Sequence, residues 1–316
     1  MNDTRTDAAQ AELLKRRQFL TKAGGMGLAA AAAMMMPGKA EALISSRPSP
    51  ENNIPNNTIL DNKSGDTVAQ ILTAALIAEG LATTFYYNGL IGPVIQDPAL
   101  AGPGGTATAV AAGGSRGNVG YLRGALYEEF VHANFLRAAV GLGTSPSADP
   151  VQTFYLPTGT FDTLASFTAV LNALESAFIG AYLAATLEFA QMACDSRAGG
   201  VRQLSASGAA YSSTQIEYFS QVAASILGVE SEHRALGRVI AKAPPTANDL
   251  NYEQTDGVST VYNGSASAVA ALTPFLGPGA GMTGYSYRTA LSGVATLGIR
   301  TTGNPPPVPP VRTDGQ

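Results

Sequence analysis

Residues 129–132 read Glu129-Phe130-Val131-His132, and residues 230–233 read Glu230-Ser231-Glu232-His233. The chain has only two histidines, and each falls three residues after a glutamate. On a helix, positions i and i+3 project from neighbouring points of one face, so each pair offers a carboxylate oxygen and an imidazole nitrogen to the same small volume. Two such helices facing each other supply two halves of one site.

Around these pairs the hydrophobic periodicity predicts four helices. The first begins at a cap, Asp66, carries Leu72, Leu76, Glu79, Thr83 and Tyr86 on one stripe, and stops at Asn88-Gly89. The second spans about 118–140, with Leu122, Leu126, Glu129, His132 and Leu136 aligned. The third spans about 161–192 and aligns Leu171, Glu175, Phe178 and Tyr182. The fourth opens on a capping-box pattern, Thr214-x-x-Glu217, and aligns Ile226, Glu230, His233 and Ile240.

An acidic group therefore interrupts the apolar stripe of every helix. Burying an unpaired carboxylate costs several kcal/mol, so a fold that does this four times must compensate the charge, and a bound cation does so economically. With one cysteine, Cys194, the chain can form no internal disulfide, and zinc knuckles and iron–sulfur clusters lack their ligands. The metal set expected is made of oxygen and nitrogen donors: Glu79, Glu129, His132, Glu175, Glu230 and His233. The order repeats, a lone glutamate preceding Glu-x-x-His by 50 residues in one half and by 55 in the other, with tyrosine seven residues after each lone glutamate, Tyr86 and Tyr182. The two halves place the site on a pseudo-twofold axis. Tyr86 and Tyr182 read as core aromatics first. Glu128 and Glu232 lie about 100 and 200 degrees around the helix from their liganding neighbours and read as surface groups or as groups that touch a ligand from outside. Glu188 shares a helix with Glu175 but lies too near its end to meet the others.

The runs Ala74-Ala75-Leu76-Ile77-Ala78-Glu79 with Phe85-Tyr86-Tyr87, Ala173-Leu174-Glu175 with Ala181-Tyr182-Leu183, and Ala224 to Ala235 around Glu230 and His233 resemble the ferritin-like family that includes plant and bacterial desiccation-related proteins. The resemblance covers about residues 66–242. It implies an all-α, antiparallel four-helix bundle with one Glu from each of two helices and Glu-x-x-His from each of the other two. On that reading Glu79 and Glu175 are terminal carboxylates, His132 and His233 each add a nitrogen, and Glu129 and Glu230 bridge two ions, iron or alternatively manganese. Four carboxylates balance two divalent cations in formal charge.

The N-terminal segment falls outside this fold. Lys15-Arg16-Arg17-Gln18-Phe19-Leu20, a weakly apolar run from Gly24 to Met36 and the small-x-small site Ala40-Glu41-Ala42 resemble a twin-arginine export signal, which implies a periplasmic or extracellular destination. The apolar run is too short for a bilayer span, and no other segment is read as one. The domains expected are a signal at 1–42, a linker at 43–65, the bundle at 66–242 and a C-terminal extension at 243–316. That extension has a weak helix at 266–276 and a proline-rich tail. Long Gly-rich connections join the helices. Charged residues are 13% of the chain and the formal net charge is -4, so nothing attracts nucleic acid.

These features favour an exported protein that oxidises ferrous iron or consumes oxygen or peroxide. A dimanganese catalase-like enzyme uses related ligands, and a stress-related structural or binding protein would use the metal only to staple the bundle. The partners expected are metal ions, oxygen or peroxide and the twin-arginine export machinery. A homo-oligomer is compatible with the sequence, while long loops and two tails disfavour a closed storage cage.

Overall fold

The computed structural model describes residues 66–143, 145–197, 211–241, 272–294 and 297. The export signal, the linker and the proline-rich tail lie outside the described residues. Among the described residues the protein is mostly helical: α1 (Val68–Leu90), α2 (Arg116–Val140), α3 (Leu164–Arg197), α4 (Ser213–Ile240) and a short α5 (Tyr287–Val294), with two strands, β1 (Thr153–Pro157) and β2 (Met282–Ser286).

The helix starts follow capping chemistry, shifted slightly from the sequence reading. Thr67, not Asp66, caps α1 in a reciprocal box with Gln70 (2.8 and 3.3 Å). For α4 the box is Ser212 with Gln215 (2.9 and 3.2 Å) rather than Thr214 with Glu217. The segment Ser212-Ser213-Thr214-Gln215-Ile216-Glu217 holds the pattern twice, and the helix uses the earlier copy, with Ile216 fully buried. Ser115 caps α2, which ends at Gly141 in the left-handed conformation (φ 87°). The Asn88-Gly89 pair does not stop α1, which continues to Leu90. Gly89 instead permits close packing, since a Cβ there would lie 2.5 Å from the Phe167 ring.

The four long helices pack chiefly as two pairs, α1 on α2 and α3 on α4, with α1 also against α3 and α2 against α4. Their directions follow from which ends share a cluster. Val68 and Leu72 at the start of α1 meet Leu136 and Val140 at the end of α2, Phe189 and Met192 late in α3, and Ile216 and Phe219 early in α4. The opposite ends form a second cluster from Phe85 and Leu90, Leu122 and Leu126, Phe167 and Leu171, and Ile240. Neighbours α1 and α2, α3 and α4, and α1 and α3 therefore run antiparallel. Each fully buried Leu or Phe in these clusters contributes about 1.5–3 kcal/mol. Between the two clusters all four helices place charged residues, so the apolar core is cut into two by a polar layer.

By length and composition Val68–Leu90 and Leu164–Cys194 could each cross a membrane, which the sequence reading did not credit. The most apolar windows of these helices are 67% and 50% buried inside the protein, against the other helices.

The C-terminal extension and the connection after α2 differ from expectation. The connection supplies β1, which pairs antiparallel with β2 in the register Thr153↔Ser286 to Pro157↔Met282. The strand β2 leads directly into α5, which lies on α1 so closely that a Cβ on Gly293 would fall 1.9 Å from the Tyr87 ring. Arg137 of α2, fully buried, donates to both oxygens of Asp149 (2.6 Å each), to Asn134 Oδ1 (2.5 Å) and to the Tyr287 hydroxyl (3.0 Å). One guanidinium thus ties α2, the connection and α5 together.

Candidate metal centre

The polar layer holds all six residues singled out by spacing. Glu79 comes from α1, Glu129 and His132 from α2, Glu175 from α3, and Glu230 and His233 from α4. Two sets of donor atoms converge, each within 4.8 Å: Glu79, Glu129, His132 and Glu230 in one, and Glu129, Glu175, Glu230 and His233 in the other. Glu129 and Glu230 belong to both sets. The four glutamates and His233 are buried, while the His132 side chain is 14% exposed.

Both imidazoles turn Nδ1 inward. His132 Nδ1 lies 3.3 Å from Glu79 Oε2, 3.8 Å from Glu129 Oε2 and 4.0 Å from Glu230 Oε1. His233 Nδ1 lies 2.9 Å from Glu129 Oε1, 3.4 Å from Glu230 Oε2 and 3.9 Å from Glu175 Oε1. Each imidazole faces the glutamate three residues before it, as the i,i+3 spacing on α2 and α4 requires, together with one lone glutamate and the glutamate of the other pair.

Two tyrosines cross between the halves. Tyr86 on α1 donates to Glu175 Oε1 on α3 at 2.5 Å, and Tyr182 on α3 donates to Glu79 Oε1 on α1. Each hydroxyl occupies one oxygen of a lone glutamate. Burial, and then the adjacent carboxylates, push both phenols well above their ordinary range, so they stay protonated donors. The seven-residue spacing had found these tyrosines on the liganding face; their hydroxyl partners needed the packing of α1 against α3.

Burial raises the pKa of Glu129, Glu175 and Glu230, and the charges of neighbouring carboxylates add to it. For the histidines burial pulls the pKa down, but the surrounding carboxylates outweigh it: Glu79 foremost at His132, and Glu128, Glu129 and Glu230 at His233. Both end raised. Without a cation the layer therefore holds protons to relieve its own charge.

The fit to a cation rests on atoms that find no partner among the described residues. Both oxygens of Glu129, both of Glu230, Glu175 Oε2 and His233 Nδ1 are fully buried without a hydrogen bond. The 2.9 Å approach of His233 Nδ1 to Glu129 lacks hydrogen-bond geometry. Leaving such groups unsatisfied costs about 1–3 kcal/mol each, more when charged. They converge on one volume and are oxygen and imidazole donors, a set that could hold a metal ion.

The half-exposed Glu128 accepts from His233 Nε2 at 2.9 Å, across α2 to α4. The sequence allowed it to touch a ligand but not to be assigned one. This hydrogen bond holds its carboxyl below the ordinary range, against the opposing effect of burial. Glu232 is exposed, and Glu188, although buried, stands outside both donor sets.

Residues 67–217 match the family model of the ferritin-like domain, which supports the ferritin-like family for α1, α2, α3 and the start of α4. Glu230 and His233 lie beyond the matched residues, so their place in the centre rests on geometry. No curated protein and no solved structure matches the chain.

Proposed function

With residues 67–217 taken as a ferritin-like domain, we propose that this chain is an exported, desiccation-related type of ferritin-like protein. Its antiparallel four-helix bundle holds two metal ions, iron or alternatively manganese. One observation carries the reading: two donor sets share Glu129 and Glu230, whose four oxygens are buried without partners.

Glu129 and Glu230, common to both donor sets, would hold both ions, and Glu79 and Glu175 would each hold one. Tyr86 and Tyr182 occupy one oxygen of Glu175 and Glu79 respectively; the other oxygen of Glu175 has no partner among the described residues, and that of Glu79 meets His132 Nδ1 at 3.3 Å. His132 and His233 offer Nδ1 to opposite halves. Carboxylate-rich sites with imidazole suit iron or manganese on geometry. When bound, such a metal pair supplies redox capacity toward oxygen or peroxide. The chain's own contribution is to bury the centre between two apolar clusters, to exclude bulk water and to keep two phenol protons within reach of the lone carboxylates. The Lys15-Arg16-Arg17 segment supports export to the periplasm or beyond, and no feature calls for nucleic acid.

The activity favoured is oxidation of ferrous iron by oxygen or peroxide. With peroxide, two ferrous ions give two electrons, and peroxide takes these with two protons to leave as two waters. Full-length protein freed of metal, given excess ferrous iron without oxygen and then mixed with peroxide, should form ferric iron about 100-fold faster than the Glu129→Ala/Glu230→Ala variant, a difference of the size expected for loss of a metal site's supporting groups or more. Equal rates in the two proteins, with metal bound only by the first, would leave a metal that merely staples the bundle. Peroxide dismutation by the manganese-loaded chain alone would select the catalase-like alternative.

A further inference from the structure

The repeat within the chain pairs Glu79 with Glu175, Tyr86 with Tyr182, Glu129 with Glu230 and His132 with His233. The symmetry fails one residue before each bridging glutamate: Glu128 stands on α2, and Val229 stands at the matching place on α4. Glu128 Oε2 accepts from His233 Nε2 at 2.9 Å. A valine side chain has no acceptor to offer His132. The His132 side chain is 14% exposed against 1% for His233.

This difference bears on metal affinity. A proton fixed on Nε2 by Glu128 leaves the Nδ1 lone pair of His233 directed among Glu129, Glu175 and Glu230, the tautomer a metal ligand needs. A carboxylate on the far N–H also makes the ring a stronger donor. Tyr86 holds the ring further, packing edge-on against it at a centroid distance of 5.8 Å and 68°. His132 instead engages Glu79 Oε2 through its inner Nδ1 at 3.3 Å and must exchange that contact for the ion.

Resting on the two-metal reading above, we infer that the two half-sites are unequal and that Glu128 is the positioning residue that makes the Glu175/His233 half the tighter one. Metal then loads in order, the His233 half first and the His132 half second.

Cobalt(II) tests this, because its visible absorption reports coordination without redox turnover. The metal-free full-length chain is titrated against a competing chelator, and thermal melts verify that each variant folds. Wild type should take up two ions in steps at least about tenfold apart, with the tighter step surviving His132→Ala. Glu128→Ala should weaken the tighter step by about 10–100-fold, the usual effect of losing such an outer partner, and leave the looser step in place. Glu128→Gln should recover most of that loss, since its amide oxygen accepts from the same N–H. Glu232→Ala, which removes the same charge from an exposed position on α4, should move neither step. Val229→Glu should tighten the looser step by supplying the missing acceptor.

Two ions bound with equal affinity would overturn the inference alone, as would a Glu128→Ala effect no larger than that of Glu232→Ala. Failure of Glu128→Gln to recover affinity would make charge, not positioning, the cause and would likewise overturn it. Binding of fewer than two ions by wild type would overturn the two-metal reading and this inference with it.

Discussion

Arg137→Ala should lower the unfolding free energy by about 3–5 kcal/mol, the range seen when one partner of a buried ion pair is removed. Arg137 and Asp149 are both buried, and their two hydrogen bonds at 2.6 Å are those of a bidentate pair. Alanine would strand the Asp149 carboxylate in the interior and remove the donor to Tyr287, the first residue of α5. Urea unfolding measures the loss, and limited proteolysis should show cleavage near β2 and α5 in the variant before the helices are cut. The double change Arg137→Met/Asp149→Leu should cost much less, because a buried pair replaced whole by apolar groups leaves no charge unpaired. A loss below about 1 kcal/mol for Arg137→Ala would mean that this network does not anchor the C-terminal segment.

The second large effect concerns metal and pH together. In the metal-free fold, Glu129, Glu175, Glu230, His132 and His233 all have raised pKa values, so the folded state binds more protons than the unfolded one. Stability from these groups is fully present below their ordinary values, 4.5 for Glu and 6.5 for His, and is lost as pH rises through the folded values. Metal binding replaces those protons, so affinity rises with pH. A cation at about 1,000 times its dissociation constant adds about 4 kcal/mol. Thermal melts with and without metal at pH 5.5 and 8 should therefore show a gap that widens at the higher pH, mainly because the metal-free protein melts earlier. A gap that narrows with rising pH would contradict the proton-for-metal exchange.

How much was legible in the sequence follows from the range of the interactions. The glutamates and histidines of the centre could be read because helical spacing is local: Glu129 with His132 and Glu230 with His233 are bound to share a face. The lone Glu79 and Glu175 followed because each broke an apolar stripe. The cap of α4 slipped by two residues because its pattern occurs twice within six positions, and the sequence alone does not choose between them. The strands were missed because β1 and β2 pair segments more than 120 residues apart, each only five residues long, with Pro157 and Gly284 weakening the local signal. Arg137 meeting Asp149 and Tyr287 left no trace in periodicity for the same reason. Glu128 was read as a surface group or as one that touches a ligand from outside, and its bond to His233 depends on how α2 and α4 pack.

The central claim is that this bundle is organised around two metal ions. The most direct measurement is elemental analysis of the purified full-length chain beside Glu129→Ala/Glu230→Ala. The account predicts about two iron or manganese ions per chain and their loss in the variant. Folded protein without stoichiometric metal would contradict it.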